Sequence, residues 1–108
     1  MSMQSKQAYL PGRSPYLVRA EFMEVTGIHP SRISELIEME WIETRLAGGG
    51  GDPQHLFREV DIYRVRKLER ICADFELPVL GGAIIVDLLD RIDALEKQVR
   101  ELKGIVGR

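Results

Sequence analysis

The sequence predicts a mainly α-helical fold that combines a helix-turn-helix, a small β-hairpin wing and a C-terminal coiled-coil helix. Three observations lead to this prediction. Two short amphipathic segments are joined by a turn that contains Gly27, four consecutive glycines at 48–51 separate two strand-like segments, and an apolar repeat runs over residues 85–106. Together these features are typical of a winged helix-turn-helix followed by a helix that pairs with a partner helix.

The first helix of the pair follows a short strand, which we predict at residues 16–18 (YLV). In the next segment, RAEFMEVTG, the side chains of Phe22, Val25 and Thr26 share one helical face. Gly27 then stands where a helix ends, because glycine adopts the left-handed conformation that a C-terminal cap requires. Residues 1–14 show no periodicity and are predicted to be a flexible N-terminal tail.

The second helix is predicted to begin at Pro30. Proline has no backbone N–H, and in the first turn of a helix this N–H would have no partner within the helix, so no hydrogen bond is lost. Ile33, Leu36 and Ile37 recur at helical spacing and are expected to face the core. The segment is predicted to end in two buried anchors, Trp41 and Ile42, with Trp41 either in the core or at its edge. An exposed tryptophan that binds a partner is the alternative interpretation of Trp41.

The charge of this second helix is unusual for the position it occupies. Residues 17–43 hold two arginines against six glutamates, a net charge of −4. In DNA-binding helix-turn-helix proteins the second helix enters the major groove. Here it would bring Glu35, Glu38, Glu40 and Glu43 against phosphates, at roughly 1–4 kcal/mol for each like-charge contact at about 4 Å. The acidic helix therefore disfavours DNA as its partner, and its glutamates form either a solvated outer face or a surface that binds another partner.

The segment ETRLAGGGGDPQHLFREV predicts a β-hairpin with a glycine-rich tip, in which Phe57 ties the returning strand to the core. The third helix follows, with an apolar face that includes Val65, Leu68 and Phe75, and with Cys72 as an inert core thiol. Its other face and the wing carry basic residues that either pair with Glu59 and Glu69 or contact phosphates. These are Arg45, Arg58, Arg64, Arg66 and Lys67.

The C-terminal helix is predicted to begin near Ala83, because Pro78 and the glycines at 81–82 interrupt the pattern. Its apolar stripe alternates steps of three and four, with β-branched residues at one seam position and leucine at the other, which favours two strands. We predict a homodimer through this stripe, with the direction of pairing left open. The dimerisation residues are Ile85, Leu88, Ile92, Leu95, Val99, Leu102 and Val106.

Composition and motifs argue against other classes of function. The net charge of −2 disfavours non-specific binding to nucleic acid, and the single cysteine excludes an intramolecular disulfide and favours a reducing, cytoplasmic compartment. No apolar run approaches the roughly 20 residues of a membrane span. The glycine run is not followed by the Lys-Ser/Thr of a phosphate loop, and no nucleophile–base pair is evident. His29 and His55 lack partners at metal-ligand spacing, so no enzyme activity, metal or cofactor is predicted.

The order of strand, two-helix turn, wing, third helix and C-terminal helix resembles MerR-like winged helix-turn-helix proteins, and VTGIHPSRISELIEMEWIE resembles their N-terminal signature. Ser34, Glu35, Leu36 and Glu38 stand where that signature has basic and aromatic groups, and Glu40 replaces its usual glycine. The resemblance implies a winged helix-turn-helix domain at residues 15–77 and a dimerisation helix at 78–108.

A narrower resemblance is to the CbpM family of chaperone modulators. The segments that carry it are EFMEVTGIHPSRISELIEMEWIE, Phe57 and DFELPVLGGAIIVDLLDRIDALEKQVREL. It implies a non-enzymatic protein that binds the J-domain of a CbpA/DnaJ-type co-chaperone and inhibits its action with DnaK. The expected J-domain contacts are Arg32, Ser34, Glu35, Glu38 and Glu43. Three alternatives stay open: a MerR-like DNA-binding transcription regulator, a truncated MerR-type scaffold that only dimerises, and a partner surface formed by the third helix.

Overall fold

The computed structural model describes residues 15–48 and 54–106. The predicted N-terminal tail and most of the predicted wing tip lie outside these residues. In the part of the chain that is described, four helices and three short strands confirm the mainly α prediction. In chain order the elements are β1 (Tyr16–Val18), α1 (Arg19–Thr26), α2 (Pro30–Glu38), β2 (Thr44–Ala47), β3 (Gln54–Arg58), α3 (Val60–Phe75) and α4 (Val79–Val106).

The chain divides into two compact units between Arg66 and Lys67, a point that lies within α3. The first unit contains the helix-turn-helix, the wing and the start of α3. The second contains the rest of α3 and all of α4. The domain boundaries expected from the sequence, after residues 14 and 77, stay predictions.

The three strands of the first unit form an antiparallel sheet in the order β1-β3-β2. Leu17 in β1 is paired with Phe57 in β3, and Phe57 is also paired with Thr44 in β2. β2 and β3 are the two arms of the predicted wing, so the hairpin is confirmed. Because β3 lies between the other two strands, Leu17, Phe57 and Thr44 lie side by side across the sheet although they are far apart in sequence.

The core of the first unit is built around two aromatic rings. Phe22 of α1 and Phe57 of β3 are fully buried, and their ring centroids are 4.7 Å apart at an angle of 18°. Phe57 is therefore the tie between wing and core that the sequence predicts. Val25 differs from the prediction, because it is exposed although it lies on α1 near Phe22. The remaining buried apolar residues of this unit are Leu17, Ile28, Ile33, Leu36, Ile42 and Val65.

The turn between α1 and α2 has the caps that the sequence predicts. Gly27 adopts a φ of 70°, and its N–H donates to the carbonyl of Met23 at 2.8 Å. The imidazole Nδ1 of His29 accepts from the N–H of Ser31 at 3.1 Å, and Pro30 occupies the first turn of α2. These local bonds satisfy backbone groups that helix ends leave unpaired, and they fix the angle at which α2 begins.

The start of α4 differs from the prediction, since the helix begins at Val79 and includes both glycines. A Cβ atom on Gly82 would lie 2.4 Å from Sγ of Cys72 and 2.9 Å from Cδ1 of Leu68. This glycine therefore allows α3 and α4 to approach closely and does not end a helix. Phe75, expected on the apolar face of α3, is instead 69% exposed.

The two sides of α4 have different surroundings. Gly82, Ala83 and Val86 are buried in the second unit. With about 100° between successive residues, these three share one side of the helix, and the predicted dimerisation stripe falls on the opposite side. In the described part of the chain, no helix is both long enough and apolar enough to cross a membrane.

Candidate partner-binding site

The outward side of α2 carries the acidic residues that the sequence singles out. Ile33 and Leu36 are completely buried, whereas Ser34, Glu35 and Glu38 are exposed on the other side of the helix. Only about one turn of helix separates Ser34 from Glu38, so the side chains of these residues are close neighbours on one surface. We call Ser34, Glu35, Glu38 and the exposed residues Glu40 and Glu43 beyond the helix the acidic surface.

Ser34 and Arg32, two of the predicted contact residues, also lie on α2. The hydroxyl of Ser34 donates to the carbonyl of Pro30 at 3.3 Å, so its side chain folds back on its own helix. Arg32 is only partly exposed and is adjacent in the helix to the buried Ile33. Arg32 therefore lies at the margin of the acidic surface, with the glutamates at its centre.

The end of α2 brings Glu40 into an unusual backbone conformation. Glu40 has a φ of 58°, in the left-handed region. Its N–H donates to the carbonyl of Ile37, and the N–H of Trp41 donates to the carbonyl of Leu36, both at 2.9 Å. This is the pattern of a Schellman cap, in which glycine is the usual left-handed residue. The helix thus ends two residues before Glu40, and the chain turns sharply to deliver Glu43 to the start of the wing.

Glu43 lies just before β2, and its side chain is 72% exposed. Its Oε2 is 3.8 Å from Nη1 of Arg58, the last residue of β3. Such an exposed pair contributes little to stability, because water screens both charges. Glu43 therefore stays available at the surface while Arg58 limits its range of positions.

Asp61 is a buried residue that was not predicted from the sequence, and its side chain is only 1% exposed. Its Oδ2 accepts from Nε of Arg58 at 3.1 Å, and its Oδ1 accepts from Nη2 of Arg58 and Nη1 of Arg64, each at 3.3 Å. The hydrogen bond to Asp61 is also the main cause that raises the pKa of Arg58 above its usual range. The sequence does contain a signal for this cluster, because Arg58 and Arg64 stand three residues before and three residues after Asp61. At this spacing the arginine side chains can reach a carboxylate at the start of a helix.

Trp41 is partly exposed, which agrees with the expected place at the edge of the core. The guanidinium carbon of Arg64 lies 4.0 Å from the centroid of its ring, a cation–π contact. Nη1 of Arg64 also donates to the carbonyl of Trp41 at 3.1 Å. The turn after α2 is therefore attached to the first turns of α3 through one arginine.

The basic residues that could contact phosphates are largely engaged within the protein. Arg58 and Arg64 bind Asp61, and Nζ of Lys67 donates to Oδ1 of Asp90 at 3.3 Å. Arg45 of the wing lies over the ring of Tyr16, with 5.1 Å between its guanidinium carbon and the ring centroid. Arg66 is exposed on α3. The sequence suggests Glu59 and Glu69 as acidic partners of these basic residues. The structure shows Asp61, Glu43 and Asp90 in this role.

The predicted dimerisation residues form a continuous apolar stripe on α4. Ile85, the first, is partly buried, whereas the others are between 45% and 81% exposed. Those exposed residues are Leu88, Ile92, Leu95, Val99, Leu102 and Val106. Large apolar side chains spaced along one helix face and open to water are typical of a contact with another chain.

The sequence of the chain is similar to a known protein family over most of its length. A family profile described as MerR HTH family regulatory protein matches residues 17–104, which is most of the chain. The match covers the helix-turn-helix, the wing, α3 and nearly all of α4. The chain therefore belongs to the MerR family of helix-turn-helix regulatory proteins.

Proposed function

We propose that this MerR-family protein is a non-enzymatic modulator that binds the J-domain of a CbpA/DnaJ-type co-chaperone and inhibits its action with DnaK. The proposal follows the sequence resemblance to CbpM proteins. The observation that carries it is the exposure of Glu35, Glu38 and Glu43 at the place where a DNA-reading member of the family presents its recognition helix. Carboxylates on this surface complement a basic protein face and repel phosphate groups.

Electrostatics supports a protein partner in a second way. None of the exposed glutamates of α2 is needed for the core, since the buried side of this helix consists of Ile33 and Leu36. A row of like charges on a nine-residue helix is slightly unfavourable by itself. A basic partner removes that repulsion and also increases the rate of encounter. Bound in this way, the protein would occupy the J-domain surface on which DnaK depends.

The proposal includes a homodimer formed by the apolar stripe of α4. The leucines and isoleucines of the exposed stripe are about half exposed, so each stabilises an interface by roughly 1 kcal/mol when its remaining surface is removed from water. A second copy of the chain presents the same stripe, so the two surfaces are chemically matched. The dimer would carry two acidic surfaces, one from each protomer.

Calorimetric titration of the purified protein with its cognate J-domain tests the proposal. We expect one J-domain to bind per protomer with a dissociation constant at or below the order of 10 μM. Replacing both Glu35→Lys and Glu38→Lys is expected to weaken binding at least about tenfold, because two attractive contacts become repulsive. The free energy of unfolding should change by no more than about 0.5 kcal/mol, since both side chains are exposed.

A matched control uses α1. Glu21→Lys together with Glu24→Lys makes the same change in net charge at exposed helical positions outside the acidic surface. This variant should bind within about twofold of the wild type, because it changes only the long-range charge. Absence of binding by the wild-type protein would refute the proposed function. Equal weakening in both variants would show that net charge matters and the position of the glutamates does not.

The second candidate is a DNA-binding transcription regulator, which the family match favours. Arg45 on the wing and Arg66 on α3 are exposed and could approach phosphates. This function predicts retention of a specific duplex in a gel-shift experiment, with affinity that falls steeply as salt rises. Binding of the protein's own upstream DNA at physiological salt, without binding of a J-domain, would favour the regulator.

A further inference from the structure

Trp41 is the only tryptophan of the chain, and its side chain is partly exposed. Contacts from the end of α2 and from Arg64 hold it in place. Its N–H completes the cap of α2 through the carbonyl of Leu36, and its own carbonyl accepts from Arg64. The guanidinium of Arg64 also covers one face of the indole ring. The backbone and the ring of Trp41 are therefore fixed before any partner arrives.

Asp61 determines where Arg64 lies. The nitrogen Nη1 of Arg64 donates both to Oδ1 of Asp61 at 3.3 Å and to the carbonyl of Trp41 at 3.1 Å. A buried carboxylate is costly unless several donors satisfy it, and here Arg58 and Arg64 do so together. Asp61 is thus a positioning residue, which acts on the surface through an arginine that it holds.

The same carboxylate connects Trp41 to the acidic surface. Arg58 binds Asp61 through Nε and Nη2, and Nη1 of Arg58 faces Oε2 of Glu43 at 3.8 Å. The indole ring of Trp41 and the carboxylate of Glu43 are therefore the two ends of a single network centred on Asp61. Trp41 and Glu43 are also only two positions apart in sequence, so their Cα atoms lie within about 7 Å of each other, and a partner that contacts Glu43 comes close to Trp41.

We propose that Trp41 is the apolar anchor of the acidic surface and that Asp61, acting through Arg64, presents it to a basic protein partner. This inference rests on the proposed function, because the partner is the basic face of a J-domain. Binding energy at protein interfaces concentrates in a few residues, with tryptophan and arginine enriched among them and polar groups around them. The glutamates of the acidic surface are the polar groups around Trp41. Because Arg64 already holds the indole ring in the free protein, the ring loses little conformational entropy on binding.

The first test compares the binding of Trp41→Ala and Tyr63→Ala to the cognate J-domain by calorimetry. Tyr63 is an aromatic residue of α3 that is 67% exposed. We expect Trp41→Ala to weaken binding at least about tenfold, as truncation of an anchor does, and Tyr63→Ala to change it less than about threefold. Trp41→Phe, which retains an apolar ring, should recover part of the loss.

The second test uses the emission of Trp41 itself and does not depend on the folding of a variant. The wild-type protein is titrated with a J-domain in which any tryptophan is replaced by phenylalanine, and quenching by acrylamide is measured. If Trp41 is the anchor, saturation with the J-domain should reduce the quenching constant by about half or more and shift the emission to shorter wavelength, because the ring loses contact with water.

The role of Asp61 is tested by Asp61→Asn, with Asp90→Asn as a matched control. Asp90 pairs with Lys67 and is not part of the Asp61 network. We expect Asp61→Asn alone to increase quenching of Trp41 in the free protein and to weaken J-domain binding severalfold, at a temperature where circular dichroism shows both variants folded. Equal quenching in the two variants would overturn the positioning role.

The outcomes separate this inference from the proposed function. If the wild-type protein does not bind the J-domain, both fail. If the wild-type protein binds, but Trp41→Ala binds within threefold of it and quenching of Trp41 is unchanged on binding, only the anchor is overturned. Loss of affinity in Trp41→Ala with protection of Trp41 in the wild-type complex would support the anchor.

Discussion

The acidic surface on α2 and the apolar stripe on α4 are both exposed, but they differ in what water does to them. Glutamates such as Glu35 and Glu38 are well hydrated and leave α2 stable without a partner. Leu95 and Val99 are 45% and 48% exposed, and their contact with water is unfavourable. An exposed charge is therefore compatible with a protein that is often unbound, whereas an exposed apolar stripe is more favourable when another surface covers it, as in the proposed dimer.

This difference suggests two kinds of association. The stripe would bury apolar area and hold two copies of the chain together through folding and function. The acidic surface would bind and release a charged partner, with rate and affinity that depend on salt. The following three predictions test the contrast, beginning with the largest expected effect.

Replacing Leu95→Lys in the stripe should separate the dimer into monomers. Each dimer loses the burial of two leucines that are 45% exposed, at about 1 kcal/mol each, which corresponds to about thirtyfold weaker association, and the two buried ammonium groups weaken it further. Sedimentation equilibrium measures the change. Asp93→Lys introduces the same side chain on a different side of α4, at a position that is also exposed, and should leave the dimer intact. A wild-type protein that is monomeric at about 100 μM would contradict the dimer.

Salt should affect the two associations differently. Raising sodium chloride from about 50 mM to about 500 mM is expected to weaken J-domain binding roughly tenfold, because exposed charges are then screened over a few ångströms. The dimer should change by no more than about twofold, since burial of apolar area does not weaken as salt rises. Calorimetry and sedimentation under both conditions give the two values. A J-domain affinity independent of salt would indicate that the acidic surface is not the contact.

The smallest expected effect concerns Glu40, a glutamate whose backbone conformation matters more than its charge. With φ at 58° it occupies the left-handed region, which costs a residue with a Cβ roughly 1–2 kcal/mol and glycine much less. Glu40→Gly should therefore increase the free energy of unfolding by about 1 kcal/mol in urea denaturation. Glu40→Ala also removes the charge but keeps the Cβ, so it should not stabilise the protein. A gain in both variants would assign the effect to charge.

Much of the fold could be predicted because its elements are encoded locally. The strand at Tyr16–Val18, the end of α1 at Gly27 and the start of α2 at Pro30 follow from propensity, spacing and capping. The wing followed from two strand-like segments on either side of a glycine run, and Phe57 from its place in the returning strand. Each of these features depends on residues within about one turn or one strand.

The features that the sequence did not predict depend on close contacts between distant residues. Gly82 resembles a helix breaker in the sequence, but it lies inside α4 at a position where Cys72 and Leu68 leave no space for a Cβ atom. Asp61 resembles a surface residue of a helix start, and it is buried because two arginines surround it. Phe75 has the spacing of the apolar face of α3 and is nevertheless exposed.

The sequence by itself determined the order of the elements, the acidic character of the second helix and the apolar repeat of the last, because composition and periodicity are properties of the chain alone. Only the tertiary structure decided which charges are buried and which remain open to a partner. Burial of Asp61 requires Arg58 from the end of β3 and Arg64 from the next turn of α3 to meet at one point. That meeting, together with the turn that brings Trp41 under Arg64, exists only once the strands and helices have packed.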